Sequence, residues 1–284
     1  MYQLSNPELS VLILDPVRDS AREGSRYCGG GYIWQITDAH LGDLLSGPEF
    51  PQEPSTFNGQ GLPDMFQRAL GSEDAPVGGE VGCIGVGRVR RTSPKEPFDV
   101  RFNPEVIEFL NWEVSSRPAE IVMTTTHTFR GWSYSLKRSL ALQGRTILSR
   151  TTIANTGESV LPIRWFAHPF FPLTGDHVLC RFSLPVTFPE NPGYALNAEG
   201  FITRKPQFNW ERGGWYQPME YAKEGNSFSI VEKHPKIGQV TVTTDFLPSF
   251  LPIWGNDRTF SFEPYYEREL SAAEQAAWSI SYQF

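Results

Sequence analysis

Three stretches in the middle of the chain alternate apolar and polar side chains, and a glycine stands at each break between them. Residues 121–129, 133–142 and 146–153 follow the two-residue period of strands that bury one face. The breaks, Arg130-Gly131-Trp132 and Gln143-Gly144-Arg145, each supply a glycine where a tight hairpin asks for positive φ. Strands joined by turns this short run antiparallel. The same style extends to residues 12–14, 32–36, 160–166, 181–188, 228–231, 240–246, 250–254, 259–262 and 278–284. No run keeps a 3.6-residue apolar period beyond about three turns. A single short helical turn is expected over residues 63–70, with Pro63 near its start and Gly71 at its end. No compositional shift marks a linker and no short repeat occurs. Residues 1–284 are therefore expected to form one all-β domain, a large antiparallel β-sandwich.

Charge and cysteine usage remove several classes of function. The net charge is −7, which disfavours a nucleic-acid surface, since such a surface needs clustered Lys and Arg. Arg88, Arg90 and Arg91 come nearest to a basic patch, and their spacing reads as the solvated side of a strand. No apolar run approaches the roughly 18 residues that would cross a bilayer, so no membrane partner is expected. Met1 to Asn6 lacks the basic region and apolar core of a secretion signal. Cys28, Cys83 and Cys180 are odd in number and lack CxxC spacing, which predicts reduced, buried thiols in a cytoplasmic protein. Aromatic residues reach 13% beside 25 Gly and 23 Pro, a mixture that suits many short strands with tight connections.

Two glycine-rich motifs are set aside. Gly82-Cys83-Ile84-Gly85-Val86-Gly87 has the wrong spacing for a dinucleotide fingerprint, and an alternating, basic stretch follows it. Gly29-Gly30-Gly31 reads as a close backbone approach beside a strand. Nucleophile-elbow, HExxH and paired-cysteine patterns are absent. His168 and His177 lack a carboxylate at ligand spacing, so no metal is expected.

The histidines differ in their surroundings. His40, His177 and His234 lie in polar, turn-like settings and are expected to face solvent. His127 stands between threonines on a strand, where alternation allows either face. His168 is set among Trp165, Phe166, Phe170 and Phe171, a low-dielectric environment for the side chain best suited to proton transfer near pH 7. A buried histidine bonded to a backbone carbonyl is the alternative. Glu263, between Phe260-Ser261-Phe262 and Pro264-Tyr265-Tyr266, is either a paired structural carboxylate or a base whose proton affinity is raised by desolvation.

Three segments, taken in order, resemble the galactose mutarotase-like superfamily, the aldose 1-epimerases and their relatives. Residues 148–157 end in Asn155-Thr156-Gly157 and run on to His168-Pro169-Phe170-Phe171-Pro172-Leu173, similar to that family's catalytic-histidine segment. Phe262-Glu263-Pro264 stands where the family has its catalytic glutamate, and residues 270–284 resemble its closing turn and last strand. Ser25-Arg26-Tyr27 is similar to an early substrate loop bearing an arginine.

The resemblance implies a β-supersandwich with a sugar cleft and a reaction without cofactors. His168 would protonate the ring oxygen while Glu263 removes the anomeric hydroxyl proton. The ring opens, the C1–C2 bond rotates and reclosure gives the other anomer. The substrate would be a small sugar or sugar derivative, phosphosugars included, with Arg26 and the Arg88 cluster as candidate phosphate contacts. Arg26, His127, Trp254 and Tyr265 are the substrate-binding candidates, the two aromatics for their proximity to Glu263 in sequence. Two departures stand out. Residues 41–126 lack the additional histidine that many members carry, and Ala272-Ala273 replaces the usual proline and glycine of the late turn. The rival readings are a non-catalytic sugar-binding protein on the same scaffold, and a glycosidase or lyase that pairs Glu263 with Asp245 or Asp257.

Overall fold

The central hairpins form as their alternation requires. In the computed structural model, which describes residues 1–225 and 227–284, Glu120–Phe129, Trp132–Gln143 and Thr146–Asn155 pair antiparallel in sequence order. Leu136, Leu140, Leu142, Ile147 and Ile153 point inward and are buried. The turns differ from expectation in one detail. Gly144 has the positive φ, 55°, in the second turn, but in the first it falls on Arg130, at 52°.

These strands sit inside an eight-stranded sheet. Its order is Cys180–Phe182, Phe228–His234, Gly238–Thr244, Gln275–Gln283, Thr146–Asn155, Trp132–Gln143, Glu120–Phe129 and Glu113–Arg117. A five-stranded sheet contains Thr259–Phe262, Leu251–Gly255 and Trp215–Tyr221, and a three-stranded sheet orders Tyr265–Leu270, Leu161–Ala167 and Asp64–Phe66. Aromatic packing joins the layers. Trp278 of the large sheet stacks on Tyr266 at 4.4 Å and meets Trp165 at 5.5 Å. Phe171, Phe260, Phe262 and Ile253 belong to the same buried cluster. The result is an antiparallel β-sandwich, as the alternation predicts.

Residues 63–70 do not form the expected helical turn. Asp64–Phe66 is a strand paired with Trp165–Ala167, and Asp64 is gripped by both terminal nitrogens of Arg138 on the large sheet. Long-range pairing and a buried ion pair override the local pattern. Among the described residues the one α-helix is the four-residue Ser20–Glu23. No helix there is long and apolar enough to cross a membrane.

Two further expectations fail for related reasons. Arg91 is buried and binds the carbonyls of Ala75 and Ser72 as well as Glu96, whereas Arg88 and Arg90 keep their glutamate pairs at the surface. His234 is buried as well; its Nε2 lies 2.8 Å from the Leu44 carbonyl. His40 and His177 are exposed, and Cys28, Cys83 and Cys180 are free and buried, as expected. The glycine triplet marks a close approach: a Cβ on Gly30 would lie 2.4 Å from the Trp112 ring.

Candidate active site

The strand Leu161–Ala167 ends just before His168, whose N–H donates to the Pro63 carbonyl at 2.8 Å. Two residues on, the Phe170 N–H donates to the Gly61 carbonyl at 2.7 Å. Residues 57–63 thus clamp the histidine segment from the side. Gly61 is required there, with φ at 77° and room for a Cβ only 2.4 Å from the Ile33 carbonyl. The imidazole packs against Phe170 at 4.6 Å and Phe166 at 5.9 Å, so the apolar context read from the sequence surrounds it in space.

Glu263 follows the buried strand Thr259–Phe262, and its N–H donates to the Pro252 carbonyl at 3.0 Å. Its carboxylate Oε1 lies 3.6 Å from His168 Nε2. The two side chains come from segments almost a hundred residues apart, and both open onto one cleft of about 1640 Å³. They are nonetheless only 3% and 4% exposed.

Burial sets the chemistry of this pair. Desolvation raises the Glu263 carboxyl to about 8, with Arg26 and Arg101 opposing the rise. Desolvation, with help from Arg26, pushes His168 well below the ordinary imidazole value. Near neutrality the pair therefore holds one proton, on the carboxyl. His168 Nδ1 is buried without a partner, so no hydrogen bond commits that face of the ring to a structural role.

Comparison with known proteins adds the fold context. No family model and no curated protein matches the sequence. Solved structures do. A galactose mutarotase related enzyme from Lactobacillus acidophilus aligns over 100% of this chain and 97% of its own, with 13% identity and a TM-score of 0.61. A galactose mutarotase-like protein from Clostridium acetobutylicum aligns over 99% and 93%, with 13% identity and a TM-score of 0.57. An aldose epimerase homologue from C. elegans aligns over 99% and 97%, with 8% identity and a TM-score of 0.54. The fold is galactose mutarotase-like.

Within this mutarotase-like fold, the cleft gathers some of the candidate residues and leaves others out. Arg26 lines it, with Nη1 donating to the Phe57 carbonyl at 2.6 Å and the guanidinium 4.9 Å from the Tyr27 ring. Trp254 lines it too, 6.2 Å from the His168 ring. Tyr265 reaches the wall but is mainly a packing residue, stacked on Phe166 at 4.5 Å and 3% exposed.

His127 is a correction. It lines a separate hollow of about 730 Å³ with Arg88, Glu108 and Trp112, and does not border the cleft. Its strand belongs to the large sheet, and alternation carries the ring toward Tyr134 and Phe129. Arg88 is there as well, tied to Glu80 and Glu108, so the Arg88 cluster cannot serve a phosphate beside His168. Asp245 is bound to Ser279 and Asp257 faces Arg258; neither lines the cleft.

Sequence reasoning missed Arg101, Arg164 and Tyr216. Arg101 sits in the short 3-10 helix Val100–Phe102, capped by Asp99, inside a stretch without periodicity. Arg164 lies over the Tyr265 ring at 5.2 Å and 3.2 Å from Glu267. It alternates with inward residues on the strand before His168, a pattern that could have placed it on the cleft side. Tyr216 reaches the cleft only because Trp215–Tyr221 pairs with Leu251–Gly255, a contact the sequence does not announce.

Proposed function

We propose that this chain, as one mutarotase-like domain spanning residues 1–284, interconverts sugar anomers as an aldose 1-epimerase-like isomerase. The observation that carries this reading is the approach of His168 and Glu263 to 3.6 Å at the wall of one open cleft. With one proton shared between them, shifting it from carboxyl to imidazole creates a base and an acid together. Glu263 then removes the proton of the anomeric hydroxyl, and His168 protonates the ring oxygen. The C1–O5 bond breaks, the aldehyde forms and rotation about C1–C2 exposes its other face. Reclosure returns both protons, so the enzyme ends as it began. Each such transfer contributes about 10²–10⁴-fold.

A sugar ring requires polar and apolar contacts at once. Arg26 and Arg101 supply donors, and Trp254 supplies an aromatic surface. The same reading places the reaction in the cytoplasm, which the three free, buried thiols support. A non-catalytic sugar binder is the second reading, favoured by the absence, among the described residues, of any histidine other than His168 from the cleft wall. Exchange NMR across a panel of free, phosphorylated and oligomeric sugars separates the two. Anomer interconversion well above the spontaneous rate is expected for at least one; sugar binding without acceleration would support the binder.

A further inference from the structure

The cleft is larger than one monosaccharide requires. Pockets that enclose a single small ligand usually occupy about 300–1,000 Å³, whereas this one measures about 1640 Å³. His168 and Glu263 occupy only part of its wall. Across the five-stranded sheet, Trp254 and Tyr216 are register partners, and side chains directly opposite in an antiparallel pair share a face at roughly 5 Å. Trp254 lies beside the His168 ring, so Tyr216 stands one strand farther from the catalytic pair.

Tyr216 has the properties of a platform. Its side chain is 43% exposed although it lies within the cleft. The other strongly exposed aromatic of the wall, Phe57, has the Arg26 guanidinium over its ring at 4.7 Å. Among the described residues, no aromatic ring or cation covers Tyr216. Burial and then Glu263 push its phenol above the ordinary value, with Arg164 and Arg101 opposing, so the ring lies within electrostatic reach of the catalytic carboxylate. Arg101 and Asp99, paired at 2.6 Å and both partly exposed, add a donor and an acceptor on the same side. An open aromatic face suits the C–H face of a pyranose, and the flanking pair suits its hydroxyls.

We infer that Tyr216 forms a second sugar subsite, and that the preferred substrate is a reducing disaccharide or longer oligosaccharide. The reducing-end ring would sit in the cleft against the wall that His168 and Glu263 share, with the next ring over Tyr216. This rests on the sugar-cleft reading above and narrows its substrate class.

Calorimetric titration and exchange NMR test it together. The probes are glucose against maltose, cellobiose and lactose, galactose against a galactobiose, and mannose against a mannobiose. At least one disaccharide is expected to bind about tenfold more tightly than its reducing-end monosaccharide. That preference should collapse toward unity in Tyr216→Ala and persist in Tyr216→Phe, which keeps the ring. Equal binding of every disaccharide and its monosaccharide, or a preference unchanged in Tyr216→Ala, overturns the subsite. Disaccharide-selective binding without anomer exchange would leave the subsite standing and remove the isomerase reading. Exchange of monosaccharides with no disaccharide preference would do the reverse.

Discussion

Two regions of this molecule each bury a glutamate and a histidine, and only one of them has the geometry for chemistry. In the eight-stranded sheet, next to its edge strand Cys180–Phe182, Glu232 and His234 lie on one strand, Phe228–His234. His234 is fully engaged: Nε2 meets the Leu44 carbonyl at 2.8 Å, and Nδ1 accepts from the Lys236 and Ile237 N–H groups. Glu232 is 0% exposed and opposite Cys180, with both oxygens unpartnered. In the cleft the roles are redistributed. His168 Nδ1 has no partner, its Nε2 lies 3.6 Å from Glu263, and both side chains line the wall of a cleft that a ligand can enter. Burial alone therefore does not mark a catalytic group. The proposed catalytic pair adds an uncommitted ring nitrogen, an adjacent carboxylate and an opening.

The sharpest way to break this comparison is to remove a histidine from each region. His168→Asn or Glu263→Gln should lower anomer exchange by about 10²-fold or more, read by exchange NMR on the best substrate. His234→Ala should instead cost about 2 kcal/mol of stability through its lost hydrogen bonds, seen in urea unfolding, with exchange per folded molecule preserved. An equal loss of exchange in both would erase the distinction.

A second contrast concerns pH and stability. Glu263 has a folded value raised to about 8 from 4.5, so its stabilising contribution is present below about 4.5 and is lost as pH rises toward 8. Glu263→Gln should then gain on the order of 4 kcal/mol over the parent at pH 8 and little at pH 4, measured as paired denaturant curves. Glu232, raised by burial in the same direction, should give a Glu232→Gln gain of the same sign but no change in exchange. A Gln variant less stable at pH 8 than its parent would contradict the assignment of a neutral, buried carboxyl.

The smallest effect lies in the late turn. Ala273 has φ at 62°, where a Cβ is strained, and the resembling family has glycine in this turn. Ala273→Gly should stabilise by about 1 kcal/mol in the same unfolding assay.

The fold was largely legible because period-two alternation and hairpin glycines are local signals. Residues 120–155 fold almost as that pattern dictates. Asp64–Phe66 was not legible, since its strand exists through pairing with Trp165–Ala167 and through Arg138, both remote in sequence. The catalytic candidates were readable from their apolar neighbours. His127 and Tyr216 were misjudged or missed because membership of the cleft depends on which strands the topology sets side by side. Sequence proximity to Glu263 placed Trp254 well and overstated Tyr265, whose ring is committed to Phe166.

The pH dependence of kcat/KM for anomer exchange tests the shared proton most directly. Activity should hold from neutrality up to the Glu263 value of about 8, then fall about tenfold per pH unit as the pair loses its only proton. Activity that keeps climbing above pH 8 would contradict a mechanism in which these two residues exchange one proton around the sugar.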